Sequence, residues 1–241
     1  MKKVEVLLTP SLSKYIDFKD KVVVVIDVFR ATSTILSAFN SGQRCVLTTS
    51  EVSIALKYKG LEYVIAGERN GQKLDHFDMG NSPVEIEAHL GSEPTFLLTS
   101  TNGTQCIELA YRENAAEILI ASFANVSAMI SYLNSQSRDV IIFCAGWKGL
   151  FNLEDSLCAG YILKGLQAGF YLADDSSQMA LALCDASDGM PYEYLKKASH
   201  FNRLAEYGNH ADLVWSCNLN TVSRVPFLES LRKGVATLAV N

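Results

Sequence analysis

The sequence predicts an α/β fold: a layered α/β/α arrangement with a mostly parallel or mixed sheet and a helical C-terminal portion. Three observations predict it. Short runs rich in Val and Ile recur along the chain, and segments with helical periodicity separate them. The run Val22 to Ile26 is apolar throughout with no alternation, as expected of a strand that helices cover on both faces. From 176 to 217 only short helical patterns follow one another.

Taken in order, the apolar runs place strands near 4–8, 22–27, 45–49, 62–66, 95–99, 117–121, 140–144 and 235–240. Between them, Ala31, Ile35 and Phe39 recur every four residues beside Leu36, which predicts a helix over 31–42. Leu157, Tyr161, Ile162 and Leu166 do the same over 155–168. Gly42 and Gly169 stand where these helices stop. Asn81-Ser82-Pro83 reads as a helix start, with Ser82 as cap and Pro83 in the first turn. No repeat, low-complexity tract or Pro/Gly-rich linker divides the 241 residues. They are therefore expected to form a single domain, 1–241, within which 176–217 could form a helical cap or subdomain.

Composition narrows the function classes. With 49% apolar and 20% charged residues the chain is expected to fold. The net charge is −5 and no basic run exceeds two residues, which argues against nucleic acid as a partner. A small anion held by a few local donors remains open. No apolar stretch approaches the roughly twenty residues of a membrane span, and Glu5 and Pro10 interrupt any signal-peptide core. The expected location is the cytoplasm, with the six cysteines reduced and none in a CxxC pair.

In α/β sheets, ligands bind beyond the carboxyl ends of the strands. Polar residues cluster there: Asp27 to Ser33, Gly67 to Gly71, Ser100 to Thr104, Cys144 to Gly146, and Glu154-Asp155 at the next helix start. Asp27 ends a buried strand and needs a partner. That partner is either Arg30, in a salt bridge, or a metal ion, with Asp27 as ligand or catalytic acid. Glu68 beside Arg69 can cap a loop or join the site. Glu154 and Asp155 can complement a helix dipole or bind metal. The four carboxylates fall on one predicted edge of the sheet, and Mg²⁺ takes such oxygen ligands. Thr101-Asn102-Gly103-Thr104 suits either an anion at a helix start or an ordinary N-cap. His76 lies in a polar loop near Asp78. His89, His200 and His210 lack metal-ligand spacing, and Trp147 and Trp215 serve equally well as core or ligand wall.

These segments, in this order, resemble the 2-phosphosulfolactate phosphatase family. The resemblance rests on Val25-Ile26-Asp27-Val28-Phe29-Arg30-Ala31-Thr32-Ser33-Thr34, Gly67-Glu68-Arg69-Asn70-Gly71, Phe77-Asp78-Met79-Gly80-Asn81-Ser82-Pro83, Thr101-Asn102-Gly103-Thr104, and Cys144-Ala145-Gly146 with Leu153-Glu154-Asp155. A weaker match runs through Asp212, Cys217 and Val225-Pro226. The pattern departs at His76, where glycine is expected and a bulkier residue could narrow the pocket. The resemblance implies a Mg²⁺-dependent phosphatase that converts 2-phospho-3-sulfolactate to 3-sulfolactate, a step of coenzyme M biosynthesis.

Carried over position by position, it puts Asp27, Arg30, Glu68 and Arg69 in catalysis. It puts Thr32, Ser33, Asp78, Asn81, Thr101, Asn102, Gly103, Thr104, Cys144 and Gly146 at the substrate, and Asp27, Glu68, Glu154 and Asp155 at the metal. The partner is then a small anionic phosphorylated substrate, and a homo-oligomer is expected of such a metabolic enzyme. Arg30 and Arg69 would hold the anionic groups, and the amides near Asn102 to Thr104 the transferring phosphoryl group. One alternative is a haloacid-dehalogenase-type phosphatase, but its Asp-x-Asp-x-Thr signature meets Phe29 at the second aspartate. The other is a non-catalytic small-anion-binding protein.

Overall fold

The structure is a computed structural model that describes residues 1–166 and 169–240. Its strands are β1 (Lys2–Leu7), β2 (Val22–Ile26), β3 (Cys45–Thr49), β4 (Tyr63–Arg69), β5 (Gln72–Lys73), β6 (Thr95–Thr99), β7 (Glu117–Ala121), β8 (Val140–Cys144), β9 (Phe170–Leu172), β10 (Phe227–Arg232) and β11 (Val235–Ala239). Its helices are α1 (Ala31–Asn40), α2 (Val52–Ala55), α3 (Pro83–His89), α4 (Gly103–Arg112), α5 (Val126–Ser135), α6 (Leu153–Gly165), α7 (Asp175–Ala186), α8 (Pro191–Leu195), α9 (Ser199–Glu206) and α10 (His210–Cys217).

All eleven strands join one open mixed sheet in the order β5-β4-β6-β3-β11-β10-β7-β2-β8-β1-β9. Two parallel blocks, β4-β6-β3 and β7-β2-β8-β1-β9, flank the antiparallel hairpin β10-β11. The hairpin pairs antiparallel with β3 on one side and with β7 on the other. Three antiparallel steps therefore separate the blocks, so they run in opposite directions. In a flat sheet their carboxyl ends would lie at opposite edges. They meet instead, because the sheet curls around α1 and α4. One core cluster joins Val23, Val25, Ile120 and Phe143 of the second block to Val46, Phe96 and Leu98 of the first, through Ile35 and Phe39 of α1 and Ile107 of α4. The link between β10 and β7 is a single pair, Phe227 with Leu119, which leaves the sheet free to turn there.

The other face of β2 presents Val22, Val24 and Ile26 to a second cluster, with Met129 of α5, Leu157 of α6 and Phe201 of α9. Both faces are thus covered, which accounts for the unbroken valine run.

The eight predicted strands are present; β3, β6, β7 and β8 keep the predicted bounds, while β1 begins at Lys2 and β4 continues to Arg69, which puts Glu68 on the strand itself. Three strands escaped prediction. β5 and β9 span two and three residues, too few for a pattern, and in β10 (FLESLR) Glu229 and Arg232 break the apolar run. The helix expected over 155–168 begins at Leu153, capped by Asn152, and ends at Gly165; residues 167 and 168 lie outside the described ones. Ser82 caps α3 by accepting from the Glu85 amide at 3.1 Å, with Pro83 next in line. Residues 176–217 carry α7 to α10. All six cysteines are free thiols. Among the described residues no helix is long and apolar enough to cross a membrane.

Candidate active site

A cleft enclosing about 450 Å³, counting its mouth, opens where the two blocks converge. Asp27, on the residue after β2, and Glu68, near the end of β4, both line it. The Gly103 amide donates to Asp27 Oδ2 at 2.8 Å. The Gly71 amide donates to Glu68 Oε2 at 2.7 Å, and the Thr101 hydroxyl to Glu68 Oε1 at 2.9 Å. Among the described residues neither carboxylate has a cationic partner within salt-bridge distance. Burial pushes the Asp27 carboxyl up to about 6, with the Glu68 charge adding to the rise; the Gly103 amide and His200 pull the other way.

The salt bridge offered as one reading of Asp27 does not form. Arg30 is buried and turns to α10, where its Nη1 meets Asp212 Oδ2 at 2.5 Å and Asn209 Oδ1 at 3.0 Å. Its Nη2 donates to the Gly71 carbonyl at 3.1 Å. Asp212 also accepts from the Ser82 hydroxyl at 2.6 Å, so one carboxylate ties the β2 loop, the α3 start and α10 together.

Arg69 does not reach the cleft. Neighbours on a strand point to opposite faces, and Arg69 donates to the Glu68 and Ser50 carbonyls, away from the side that Glu68 lines. The amides expected to face an anion have other partners. Thr101 N–H points to Glu68 at 3.3 Å, Gly103 N–H to Asp27, and Thr104 N–H to the Ser100 hydroxyl at 3.5 Å. The loop orients carboxylates instead of a phosphate. Gly103 is required for this approach: a Cβ there would stand 2.9 Å from Asp27 Oδ2.

Of the other expected substrate residues, Asn81, Thr101 and Asn102 line the cleft. Thr32 and Ser33 are wholly buried, and their hydroxyls donate to the Asp27 and Val28 carbonyls, fixing the turn into α1. Thr104 likewise donates to the Ser100 carbonyl. Asp78 accepts from the Ile65 amide at 2.9 Å and fastens its loop to β4, outside the cleft. Cys144 is buried at the end of β8, where burial and the Asp155 charge hold its thiol well above the ordinary range. Gly146, at φ 61°, donates to Asp155 and leaves no room for a side chain: a Cβ would lie 2.3 Å from the Leu150 carbonyl oxygen. His76 is exposed and away from the cleft, so it narrows nothing; its φ of 68° explains why glycine suits the position.

Glu154 and Asp155 are wholly buried and do not line the cleft. Asp155 accepts from Val28 N–H at 2.8 Å, Gly146 N–H at 3.0 Å and the Asn152 amide at 2.9 Å, which locks the loops after β2 and β8 onto α6. Glu154 Oε1 meets His200 Nδ1 at 2.6 Å.

The 2-phosphosulpholactate phosphatase sequence profile matches residues 7–230. A probable 2-phosphosulfolactate phosphatase of Clostridium tetani is 35% identical over 227 residues, 92% of this chain and 96% of its own. Proteins of the same description from Thermotoga petrophila and Thermotoga maritima are each 40% identical over 205 residues, 85% of this chain and 88% of theirs. The chain belongs to the 2-phosphosulpholactate phosphatase family. It is thereby an enzyme, and the match runs from the last residue of β1 into β10.

Sequence reasoning missed Phe29, Lys148, His200 and Leu204, which line the cleft together with Trp147, the one of these that it had offered as core or ligand wall. His200 lies 6.1 Å from Trp147 and 6.0 Å from Phe29 between ring centroids. Nothing in the spacing of His200 points to Glu154, because the two meet only when α9 packs on α6.

As a magnesium site the residues fit in part. Asp27 and Glu68 are hard oxygen donors, fixed by N–H and O–H groups and unpaired with any Lys or Arg among the described residues. Magnesium typically takes one or two carboxylates, with water and substrate oxygens completing its shell. Among the described residues no three His, Cys, Asp or Glu side chains converge as a metal-binding group. The arrangement therefore suits an ion held partly by substrate and not a closed protein cage.

Proposed function

We propose that the chain hydrolyses the phosphate ester of 2-phospho-3-sulfolactate to 3-sulfolactate and phosphate, with Mg²⁺ as cofactor. The observation that carries this reading is the pair Asp27 and Glu68: two buried carboxylates, with no Lys or Arg partner among the described residues, facing one cleft in a chain of this family. Keeping such carboxylates ionised out of water is costly, and a divalent cation with an anionic substrate offsets that cost.

Asp27 and Glu68 are the residues that would hold Mg²⁺, which when bound would supply positive charge for the phosphoryl oxygens. The protein's own groups do the rest. The Gly103, Gly71 and Thr101 donors hold both carboxylates in place. The side-chain amides of Asn81 and Asn102 offer hydrogen bonds to ester oxygens. His200, anchored through Nδ1 by Glu154, can give a proton to the departing alkoxide from its other nitrogen. Phe29 and Trp147 narrow the access of bulk water.

The test is phosphate release from 2-phospho-3-sulfolactate with added Mg²⁺, with EDTA, and with Mg²⁺ restored. Turnover that disappears with EDTA and returns with Mg²⁺ supports the reading. Turnover indifferent to EDTA removes the metal, and binding of the ester without phosphate release favours a non-catalytic anion-binding protein.

A further inference from the structure

We infer that Lys148 is the cation that receives an acid group of the substrate other than its phosphate. The inference rests on the phosphatase reading above and deepens it. Besides the phosphate, the ester carries a carboxylate and a sulfonate, and an acidic protein has to answer them with local positive charge. Among the described residues the lysines and arginines that line the cleft are Arg30 and Lys148. Arg30 is already engaged by Asp212 at 2.5 Å, Asn209 at 3.0 Å and the Gly71 carbonyl at 3.1 Å. Arg69 is turned to the Glu68 and Ser50 carbonyls, and Arg203 stacks on Trp147 without lining the cleft. Lys148 forms no salt bridge among the described residues, not even with Asp27 or Glu68 in the same cleft.

The turn that carries Lys148 holds it in place. Trp147 N–H donates to the Leu150 carbonyl at 2.8 Å, and Leu150 N–H to the Trp147 carbonyl at 3.0 Å. Between them Lys148 and Gly149 have φ of 50° and 78°. That is the left-handed pair of a two-residue hairpin turn, whose first place favours Asn, Asp or Gly. A lysine there is strained, and such strain persists where the surroundings enforce it. Here they do: the Gly149 carbonyl accepts from the Thr9 hydroxyl at 2.9 Å and from the Ser11 hydroxyl at 2.8 Å, which pins the tip to the segment after β1. The Lys148 ammonium lies 4.5 Å from the Trp147 ring centroid. An ammonium against an aromatic face still has N–H donors to give an anion.

The cleft therefore has two poles. Glu68 and Thr101 belong to β4 and the loop after β6, whereas Lys148 follows β8, on the neighbouring strand to β2 and Asp27. The phosphate belongs with the carboxylates that would hold the metal. A second acid group of the same molecule then meets the ammonium. A carboxylate and a sulfonate share the chemistry that an ammonium recognises, and the experiment separates them.

The experiment is steady-state phosphate release with Mg²⁺ by the wild type, Lys148→Met and Lys148→Arg. The esters are 2-phospho-3-sulfolactate, 2-phospholactate (no sulfonate), 2-sulfoethyl phosphate (no carboxylate) and ethyl phosphate (neither). Any that is not turned over is measured as a competitive inhibitor. Lys148→Met should raise KM for 2-phospho-3-sulfolactate by roughly 10- to 100-fold, the worth of one hydrogen bond to a charged group. Its kcat should change far less, because a remote acid group is bound alike before and in the transition state. Lys148→Arg should restore most of the affinity. A penalty on 2-phospholactate assigns the carboxylate and a penalty on 2-sulfoethyl phosphate the sulfonate; either supports the inference if ethyl phosphate is spared. An equal penalty on ethyl phosphate, a fall in kcat without a rise in KM, or no change overturns it and leaves the phosphatase reading standing. If no ester releases phosphate, the phosphatase reading fails by itself. Calorimetric binding of 2-phospho-3-sulfolactate in EDTA then decides: weaker binding by Lys148→Met supports the assignment, and equal binding overturns it.

Discussion

The Gly103 amide bonds the Asp27 carboxylate at 2.8 Å, and that bond joins the carboxyl ends of two strand blocks that run in opposite directions. It forms only because residue 103 has no side chain. An added Cβ would lie 2.9 Å from Asp27 Oδ2 and 3.0 Å from Ala31 Cβ, both in a buried region that cannot yield freely. Gly103→Ala is expected to cost about 1–3 kcal/mol, the range for overpacking, and to lower kcat/KM by displacing Asp27. Urea unfolding and phosphate release check this together. An unchanged midpoint with full turnover would show that the two blocks are not coupled here.

Asp27 itself gives a pH-dependent prediction. Its folded pKa, about 6, exceeds the ordinary aspartate value of 3.8. The folded state therefore favours the protonated carboxyl. The stabilisation is fully present below pH 3.8 and disappears as pH rises through about 6. Asp27→Asn removes the ionisation, so above pH 7 and without metal the variant should be more stable than the wild type, by on the order of 2–3 kcal/mol at most. The difference should vanish below pH 4, and turnover should be nearly abolished. Melting curves at several pH values in EDTA are the measurement. A variant less stable at pH 7 than at pH 4, relative to the wild type, would contradict the burial argument.

Asp212 holds the opposite position, a buried carboxylate saturated by donors. Asp212→Ala leaves the Arg30 guanidinium buried without its counter-ion and frees the Ser82 hydroxyl. The expected cost is about 3–5 kcal/mol. Replacing both partners, Arg30→Met with Asp212→Leu, should recover much of it, because the penalty belongs to the stranded charge. If the double variant is as unstable as the sum of the two single ones, the pair is not an energetic unit.

Much of the fold was legible because it is local. The valine run of β2, the four-residue spacing of α1 and the Ser82-Pro83 cap each follow from neighbouring residues. The site was legible only in its loops. Asp27, Glu68, Thr101 and Asn102 lie beyond or near strand ends, where position alone marks them, whereas Asn81 sits before α3 and was marked only by the family resemblance. The partner of Arg30 was not legible, because Asp212 is far away in sequence and only the packing of α10 on α3 brings it near. Two sequence neighbours misled for a geometric reason: Glu68 and Arg69 leave opposite faces of β4. The reversal of the two blocks was hidden as well, since it depends on β10, whose charged residues conceal its strand character.

The same distance in sequence concealed His200, which gives the last prediction. His200 lines the cleft with Nδ1 held 2.6 Å from Glu154, and its other nitrogen has no hydrogen-bond partner among the described residues. A hydroxy-acid alkoxide is a poor leaving group and gains from a proton delivered as it departs; a nitrophenolate needs none. His200→Asn should therefore lower kcat on 2-phospho-3-sulfolactate by roughly 100- to 10,000-fold, the usual span of general acid catalysis, and spare most turnover of 4-nitrophenyl phosphate. Glu154→Gln keeps an acceptor oxygen for Nδ1 and loses the charge behind it, so its effect should fall between wild type and His200→Asn on the alkyl ester. The competing account makes the Glu154–His200 contact a structural bond between α6 and α9. On that account both substrates lose turnover in the same proportion, and melting temperature falls with them. Steady-state kinetics on the two esters, with melting curves of each variant, decide between a proton donor and a packing contact.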